Sequence, residues 1–392
     1  MDYQHDEKEM ITISDKSLCC GCTACMNICP SQCIVMRRDR EGFDYPVANP
    51  DRCVDCGLCE KVCPVLNPRK SSEPLSAYAV RNEEYLMGSS SGGFFPSVAG
   101  KFVAEGGVVY GAVVNEDMTV GHADAEDMAA VERMRGSKYV QSDLYGTFEE
   151  IKYYLSESRK VFFTGTPCQV AGLNAYLGRE YEGLLTAECA CHGAPSPGLW
   201  EKYVDAFGKK NGFKVSEVDF RDKSGGWRRY SLAYKGEGHE MRVGRDKDPY
   251  MLLFLQDMTL RPSCYRCPSR NGRSGADITM ADLWNVRETA PQMDDDRGVS
   301  LILINTEKGR GALEESGLGV KTVDKDRAVK YNGGFAESIE VPERRGEFFK
   351  GMHSSPDIIR YIKGFVVRKS VLKRLYRYVR SMLAEMKRRM KR

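Results

Sequence analysis

Two cysteine runs with the same spacing lie near the start of the chain. Residues 19–30 read Cys-x2-Cys-x2-Cys-x3-Cys-Pro, and residues 53–64 repeat this pattern. Where two such runs hold two cubane clusters, the fourth cysteine of each run ligates the cluster of the other run. The spacing therefore predicts two [4Fe-4S] clusters with crossed ligands. The two predicted ligand sets are Cys19, Cys22, Cys25 with Cys63, and Cys53, Cys56, Cys59 with Cys29.

A pair of zinc sites is the alternative interpretation of these runs. Zinc sites more often combine two separated Cys-x2-Cys pairs, or mix cysteine with histidine. Each run here also contains a glycine, Gly21 or Gly57, which lets the backbone approach a cluster closely. We therefore favour clusters over zinc. Cys20 and Cys33 fall outside the repeated spacing, and we expect both to be small buried thiols.

The cysteine content also indicates a cellular compartment. The chain has 15 cysteines in 392 residues, and a reducing compartment favours their use as metal ligands over disulfides. The first ten residues are polar, unlike a signal peptide, and the chain has no apolar run of the roughly 18 residues that a membrane span needs. We therefore expect a soluble, cytoplasmic protein.

Charge is distributed unevenly along the chain. Residues 368–392 contain eleven Lys or Arg and one acid, Glu385, although the net charge of the whole chain is only +3. The rest of the chain is therefore acidic, which argues against nucleic acid as a partner. Residues 365–392 are predicted to form a basic amphipathic helix. Its apolar stripe would pack on the parent domain, on an anionic membrane surface as a peripheral contact, or in an acidic groove of a partner protein.

A polar stretch at 67–74, bounded by prolines, separates the cysteine-rich segment at 1–67 from a larger domain at 75–350. In that domain, strand-like apolar runs alternate with helical patterns, which indicates an α/β fold. Strands are predicted at 77–80, 108–114, 161–164, 215–220, 230–234 and 299–304, with helices at 94–105 and 148–155. The later strands make a mixed sheet the expectation.

Five further cysteines lie far beyond the two runs: Cys168, Cys189, Cys191, Cys264 and Cys267. Cys168 follows a predicted strand, at the edge of the sheet where α/β proteins bind ligands. Cys264 and Cys267 lie in a turn-rich loop at 261–268, of the kind that presents thiolates. Taken singly, each of the five is better explained as a buried thiol without a ligand.

Four motifs in this part of the chain resemble one known family. They are Gly-Thr-Pro-Cys-Gln at 165–169, Cys-His-Gly-Ala-Pro-Ser at 191–196, Cys-Tyr-Arg-Cys at 264–267 and Ala-Asp-Ile-Thr-Met-Ala-Asp-Leu-Trp at 276–284. In this order they resemble the coenzyme F420 hydrogenase/dehydrogenase beta-subunit family, over about residues 70–350. The resemblance implies a mixed α/β fold, a bound FAD and a third [4Fe-4S] cluster. The implied ligands are Cys168, Cys191, Cys264 and Cys267, which leaves Cys189 without a role.

A loop at 88–94 is the first candidate for a flavin contact. The sequence contains neither a G-x-G-x-x-G nor a P-loop motif, so a Rossmann-type site is not indicated. The loop follows a predicted strand and precedes a helix, where backbone N–H groups attract an anion. Although such a loop is often only a helix cap, its place in a family similar to flavoproteins favours binding of the FAD pyrophosphate. The predicted contacts are Ser89, Ser90, Ser91, Gly92 and Gly93.

A second motif, Arg-Gly-Ser-Lys-Tyr at 135–139, also resembles the family and supplies further candidates. Lys138 is expected near the flavin N1–C2 carbonyl, where its charge would stabilise the reduced flavin. Ser137 and Tyr139 are further predicted cofactor contacts, and Tyr139 would stack on the ring. His192, the second candidate catalytic residue beside Lys138, would donate a proton or support the third cluster. The alternatives are an exposed lysine, a packing tyrosine and a structural histidine.

Together these features predict an iron–sulfur flavoprotein oxidoreductase. Electrons from a one-electron donor, such as a ferredoxin or a redox partner subunit, would pass through the clusters to FAD and then to a substrate. The sequence does not identify the substrate; a deazaflavin, as in the family name, and a sugar-linked acceptor are the candidates. The alternatives are a non-catalytic electron-transfer subunit of a larger oxidoreductase complex and a protein whose clusters are structural.

Overall fold

The computed structural model describes residues 11–367 of the chain. The predicted basic helix at 365–392 therefore lies outside the described residues from position 368 onward. Within residues 11–367, no helix is long and apolar enough to cross a lipid bilayer.

The cysteine-rich segment folds into a small unit with two related halves. Its elements are a 3₁₀ helix (Lys16–Leu18), α1 (Ala24–Asn27), β1 (Ile34–Arg38), β2 (Asp44–Ala48) and α2 (Leu58–Lys61). Strands β1 and β2 pair as an antiparallel hairpin. Each short helix begins directly after a residue in the left-handed conformation, Thr23 at φ +62° before α1 and Gly57 at φ +65° before α2. These turns bend the chain back on itself within each cysteine run.

The larger domain contains two sheets. Its strands are β3 (Ser76–Val80), β4 (Val108–Val114), β5 (Val120–Ala125), β6 (Val161–Gly165), β7 (Leu184–Cys189), β8 (Glu217–Asp222), β9 (Ser231–Gly236), β10 (His239–Gly244), β11 (Ile278–Asp282), β12 (Ser300–Ile304) and β13 (Val320–Thr322). One sheet has eight strands in the order β13-β3-β12-β11-β7-β6-β4-β5. Strands β11, β7, β6 and β4 run parallel, and antiparallel strands flank them on both sides. The predicted mixed α/β fold is confirmed.

Helices cover the sheets and place several chain segments at the sheet edge. They are α3 (Phe94–Ala104), α4 (Met128–Met134), α5 (Thr147–Ser156), α6 (Pro167–Leu177), α7 (Pro197–Asn211), α8 (Pro249–Phe254), α9 (Val286–Thr289), α10 (Glu307–Glu315), α11 (Lys325–Val329), α12 (Gly333–Ala336), α13 (Arg345–Gly351) and α14 (Ile358–Phe365). Thr166 and Gln169 form a capping box that starts α6 directly behind β6. Cys168 therefore lies in the first turn of α6, at the carboxyl end of a parallel strand.

The second sheet is antiparallel and has the order β10-β9-β8. A buried aromatic core supports it, and within this core the hydroxyls of Tyr203 and Tyr234 both donate to the Asp248 carboxylate at 2.8 Å. These bonds compensate the burial of a carboxylate that is fully removed from solvent. Two arginines at the ends of this sheet, Arg221 in β8 and Arg245 after β10, contribute to the site described below.

The cysteine-rich segment packs directly against the larger domain. Cys22 packs against Gly172 of α6. A β-carbon added to Gly172 would lie 2.8 Å from the Cys22 Cβ. Arg345 donates hydrogen bonds of 3.0 and 2.6 Å to the two carboxylate oxygens of Glu41. The linker serines at 71–72 donate to main-chain carbonyls of residues 271 and 272. The two parts are thus joined by packing and hydrogen bonds, and not by the linker alone.

Candidate iron–sulfur and cofactor sites

The first thiol group combines cysteines of both runs. Cys25 lies close enough to Cys19 and Cys63 for their charges to interact, and Cys22 interacts in the same way with Cys25 and Cys63. All four side chains are at most 9% exposed. Burial, reinforced by the neighbouring thiols, raises the pKa of Cys25. The structure therefore brings together the first predicted ligand set, including Cys63 from the second run.

The second thiol group surrounds a small cavity in the cysteine-rich segment. Its wall contains Cys29 of the first run together with Cys53, Cys56 and Cys59 of the second. Cys33 is buried, as expected, but it also lines this cavity. Its Sγ lies 3.4 Å from Cys29 Sγ, and its main-chain N–H donates to the same sulfur at 3.3 Å. The sequence offered no signal for this contact, because Cys33 is not part of the repeated spacing.

A third thiol group forms in the larger domain from three separate parts of the chain. Cys264 interacts electrostatically with Cys168, Cys191 and Cys267, and Cys267 interacts with Cys168 and Cys191. Burial raises the pKa of Cys267 to about 11, and the neighbouring thiols contribute to this increase. The N–H of Ala194 donates to Cys264 Sγ at 3.3 Å. The four cysteines that the family resemblance implied are therefore neighbours.

The remaining two cysteines differ in position. Cys189 is exposed and contacts Cys191, so it lies at the edge of the third group. Cys20 is buried, as expected, but it lies between two groups, since its thiol contacts both Cys22 and Cys168. The first and third thiol groups are thus separated by a single side chain.

The arrangement of the thiols bears on the alternative that the two cysteine runs bind zinc. A zinc ion holds its ligand atoms at about 2.0–2.3 Å, so its ligands converge on one point. In the part of the chain that the structure describes, no three His, Cys, Asp or Glu side chains are arranged to hold a single metal ion. The preference for clusters over zinc therefore rests on the all-cysteine donor sets, two of which combine cysteines of both runs.

A cavity of about 520 Å³ adjoins the third thiol group. This volume is within the range of small-molecule and cofactor sites. Cys168 and Cys191 form part of its wall. The wall also contains the residues predicted for the flavin and for catalysis, with the exception of Gly92: Ser89, Ser90, Ser91, Gly93, Ser137, Lys138, Tyr139 and His192.

The serine loop is tied to the second predicted motif within this wall. Ser90 Oγ accepts hydrogen bonds from the N–H and the hydroxyl of Ser137, at 2.6 and 2.8 Å. Gly93, with φ +85°, leads into α3, whose first turn has no side-chain cap. The N–H groups of a first turn lack partners within the helix and attract negative charge. The loop therefore suits a phosphate group placed in the cavity.

Gly92 packs tightly against the sheet and is not among the residues that line the cavity, so its predicted phosphate contact stays a prediction. A β-carbon on this residue would lie 2.3 Å from the Val80 carbonyl oxygen and 2.6 Å from the Ser300 nitrogen. The Gly92 N–H donates to Ser300 Oγ at 2.9 Å. Any side chain here would push the loop away from the sheet, so a substitution at this position would disturb the fold as well as the cavity.

Lys138 and Tyr139 occupy the cavity wall in defined positions. Lys138 Nζ donates to the carbonyl oxygens of Arg133 at 3.1 Å and Arg135 at 2.8 Å. Burial lowers the pKa of Lys138 to about 7, so near neutral pH the side chain is only partly charged. The Tyr139 ring packs against the Phe254 ring at a centroid distance of 5.0 Å. Both side chains therefore face the cavity from a fixed framework.

His192 lies in the same wall and has a carboxylate partner. Its Nε2 is 2.5 Å from Asp257 Oδ1, and its ring meets Phe254 edge-on at 5.3 Å. The side chain is 42% exposed. A histidine held by a carboxylate through one ring nitrogen can use the other to exchange a proton with a ligand.

Sequence reasoning missed two buried arginines. Arg221 is 5% exposed and donates to Asp282 Oδ2 at 2.6 Å. Arg261 is 1% exposed and donates to the carbonyl oxygen of Cys19 at 2.7 Å and that of Asp44 at 2.9 Å, while its Nη2 lies 3.5 Å from Cys19 Sγ. No local pattern marks these residues, because their partners are distant in the sequence.

Comparison with known families agrees with the motifs. Residues 18–67 match the 4Fe-4S dicluster domain, and residues 158–324 match the C terminus of the coenzyme F420 hydrogenase/dehydrogenase beta subunit. The resemblance stated from the sequence is confirmed. The N-terminal segment is thus an iron–sulfur domain, and the larger domain is similar to a subunit of oxidoreductases.

Individual relatives match different parts of the chain. Ferredoxin-1 of Caulobacter vibrioides is 33% identical over 75 residues, which are 19% of this chain and 62% of the relative. A ferredoxin of Rickettsia felis is 31% identical over 74 residues, 19% of this chain and 63% of the relative. The chain thus spans less than two thirds of the length of these ferredoxins. A solved chain of the F420-reducing [NiFe] hydrogenase complex from Methanosarcina barkeri is 17% identical, with a TM-score of 0.45, over 75% of this chain and 92% of that chain.

Proposed function

We propose that this chain, which joins a 4Fe-4S dicluster domain to a domain of the coenzyme F420 hydrogenase/dehydrogenase beta-subunit family, is an iron–sulfur flavoprotein oxidoreductase. The three thiol groups hold three [4Fe-4S] clusters, and the 520 Å³ cavity holds FAD. Electrons enter from a one-electron donor, such as a ferredoxin or a redox partner subunit. A deazaflavin or a sugar-linked acceptor remains the proposed substrate.

The contiguity of the four sites carries this proposal. Cys25 of the first thiol group interacts with Cys59 of the second. Cys20 contacts both Cys22 of the first group and Cys168 of the third. Cys168 in turn lines the cavity. The sites therefore form an uninterrupted series from the cysteine-rich segment to the cavity, as a path for single electrons requires.

The cavity residues have distinct proposed roles. FAD, when bound, links one-electron donors to two-electron chemistry. The Ser89–Ser91 loop and the start of α3 bind its phosphates through hydroxyl and N–H groups. Lys138 provides a positive charge whose strength depends on pH, because its pKa is about 7. His192, oriented by Asp257, keeps its other ring nitrogen available to exchange a proton with the bound ligand.

The alternative function is that of a non-catalytic electron-transfer subunit. The name of the matching family supports this alternative, because it describes the beta subunit of a larger enzyme. Such a chain would deliver electrons to a separate enzyme that binds the substrate. Anaerobic purification distinguishes the two. Turnover of small two-electron acceptors by the isolated chain supports the oxidoreductase, whereas tight co-purification with another enzyme and no such turnover supports the subunit.

The flavin is tested directly by the composition of the purified chain. We expect about one FAD per chain after anaerobic purification. Reduced ferredoxin should bleach the flavin absorbance, because the clusters connect the donor side with the cavity. A preparation with full iron content and no flavin would contradict the proposed cofactor.

Substituting Ser90 tests the phosphate-binding loop. Ser90→Asp places a carboxylate beside the proposed phosphates, so FAD affinity should fall on the order of tenfold or more through like-charge repulsion. Ser90→Asn is the matched control, because it is similar in size and uncharged, and it should retain most of the FAD. Fluorescence of released flavin measures occupancy, and iron content checks the fold. Equal FAD in the two variants would remove the loop from the site.

Arg261 is proposed to raise the potential of the first cluster. Arg261→Gln removes a positive charge and an N–H donor beside Cys19 Sγ, so the midpoint potential should fall by about 60 mV, a tenfold change for one electron. Arg261→Lys, which keeps the charge, should give a smaller decrease. Arg266→Gln is the control, since Arg266 is exposed on the same loop. The measurement is a redox titration followed by electron paramagnetic resonance, and an unchanged potential with an intact cluster would leave Arg261 only a packing role.

A further inference from the structure

The charges in the cavity wall are strongly unbalanced. Three arginines and the partly charged Lys138 line the cavity, and Asp282 is its one acid among the described residues. Asp282 already accepts hydrogen bonds from Arg221 Nη1 at 2.6 Å and from Trp227 Nε1 at 3.1 Å. A wall of this charge attracts an anionic ligand.

Arg221 has donor groups to spare. The residue is 5% exposed, and its Nε and Nη2 have no hydrogen-bond partner within residues 11–367. Its guanidinium lies over the Tyr230 ring at 4.7 Å and the Trp284 ring at 5.4 Å. Leaving a buried donor unpaired is costly, so unpaired donors in a cavity wall indicate a ligand that accepts from them.

Arg245 adds a second guanidinium from the same sheet. It lies over the Tyr230 ring at 5.1 Å, so this ring has an arginine against it from both β8 and the end of β10. None of the ion pairs among residues 11–367 involves Arg245. The three-stranded sheet thus directs two guanidiniums with free donor capacity at the cavity.

We infer that Arg221 and Arg245 form a phosphate-binding subsite of the cavity. Two guanidiniums together offer more N–H donors than one carboxylate accepts, whereas a pyrophosphate has four or more non-bridging oxygens and a terminal phosphate has three. The subsite lies on a different part of the chain from the serine loop. It binds either a phosphate of FAD or a phosphate of a second ligand. Support for the subsite comes from the two arginines and does not depend on the proposed flavin site.

Two measurements on the full-length chain, purified anaerobically, separate these sources. The first is FAD per chain, and the second is binding of labelled inorganic pyrophosphate by equilibrium dialysis. The variants are Arg245→Gln and Arg221→Lys; the second keeps a charge opposite Asp282 and removes the guanidinium donors. Arg242→Gln is the matched control, because Arg242 is on β10, 49% exposed and paired with Asp222 and Glu240. Iron content verifies that each variant is folded.

We expect each cavity variant to lose roughly tenfold or more in one of the two measurements, while the control keeps both. Loss of FAD assigns the subsite to the cofactor, and loss of pyrophosphate binding with full FAD assigns it to a second ligand. The subsite would be overturned if both variants matched the control in FAD content and in pyrophosphate binding. It would also be overturned if the wild-type protein bound no pyrophosphate and the variants kept their FAD. Absence of FAD from the wild type would contradict the proposed function and leave the pyrophosphate measurement to test the subsite.

Discussion

Cys264→Ser should lower the iron content from about twelve to about eight atoms per chain, the loss of one cubane of four irons. The reason is the convergence of Cys264 with Cys168, Cys191 and Cys267 in one partly buried group. A cluster left with three protein thiolates is labile when its loop can reach solvent, because metal binding and local folding are coupled. Iron and sulfide analysis with an absorption spectrum measures the change.

Cys189→Ser is the matched control for this experiment. Cys189 contacts Cys191 but is exposed, so its loss should leave about twelve irons in place. If Cys189→Ser removed the cluster while Cys191→Ser preserved it, Cys189 would replace Cys191 as the ligand. Wild-type iron near eight would refute the third cluster altogether, and the cavity would then lack an adjacent electron donor.

Cys29→Ser should damage the cluster held by the second run and preserve the cluster held by its own run. Cys29 lies in the wall of the small cavity with Cys53, Cys56 and Cys59, whereas Cys19, Cys22 and Cys25 share their group with Cys63. Loss of one ligand should shift or abolish one electron paramagnetic resonance signal. Cys63→Ser should remove the other signal. The pair of variants therefore tests the crossed ligation in both directions.

Cys33 is a possible substitute ligand in the Cys29→Ser variant. Its Sγ lies 3.4 Å from that of Cys29, so it is close enough to replace the missing ligand. The double variant Cys29→Ser/Cys33→Ser should lose the cluster more completely than Cys29→Ser, and Cys33→Ser alone should keep it. Loss of the signal from the first run in the double variant would be incompatible with crossed ligation.

Much of the fold follows from local patterns, and the exceptions have identifiable reasons. The strands predicted at 108–114, 161–164 and 299–304 are present within a residue or two as β4, β6 and β12, because buried strands read as continuous apolar runs. The polar strand His239–Gly244 was missed, since it is largely exposed and forms through pairing with β9. The short strand Ile278–Asp282 was missed because its position between β7 and β12 stabilises it.

The cluster chemistry of the first segment follows from local sequence, because thiols separated by two residues lie within reach of one cluster and the spacing occurs twice. Which distant groups meet depends on tertiary packing. Cys168 and Cys264 become neighbours through a sheet edge and a loop almost a hundred residues apart, and Arg221 and Arg261 acquire their partners in the same way. Such contacts depend on the packing of whole elements, so no local pattern encodes them. The need for glycine at position 92 also depends on tertiary packing, because the backbones of two other strands occupy the position that a side chain would take.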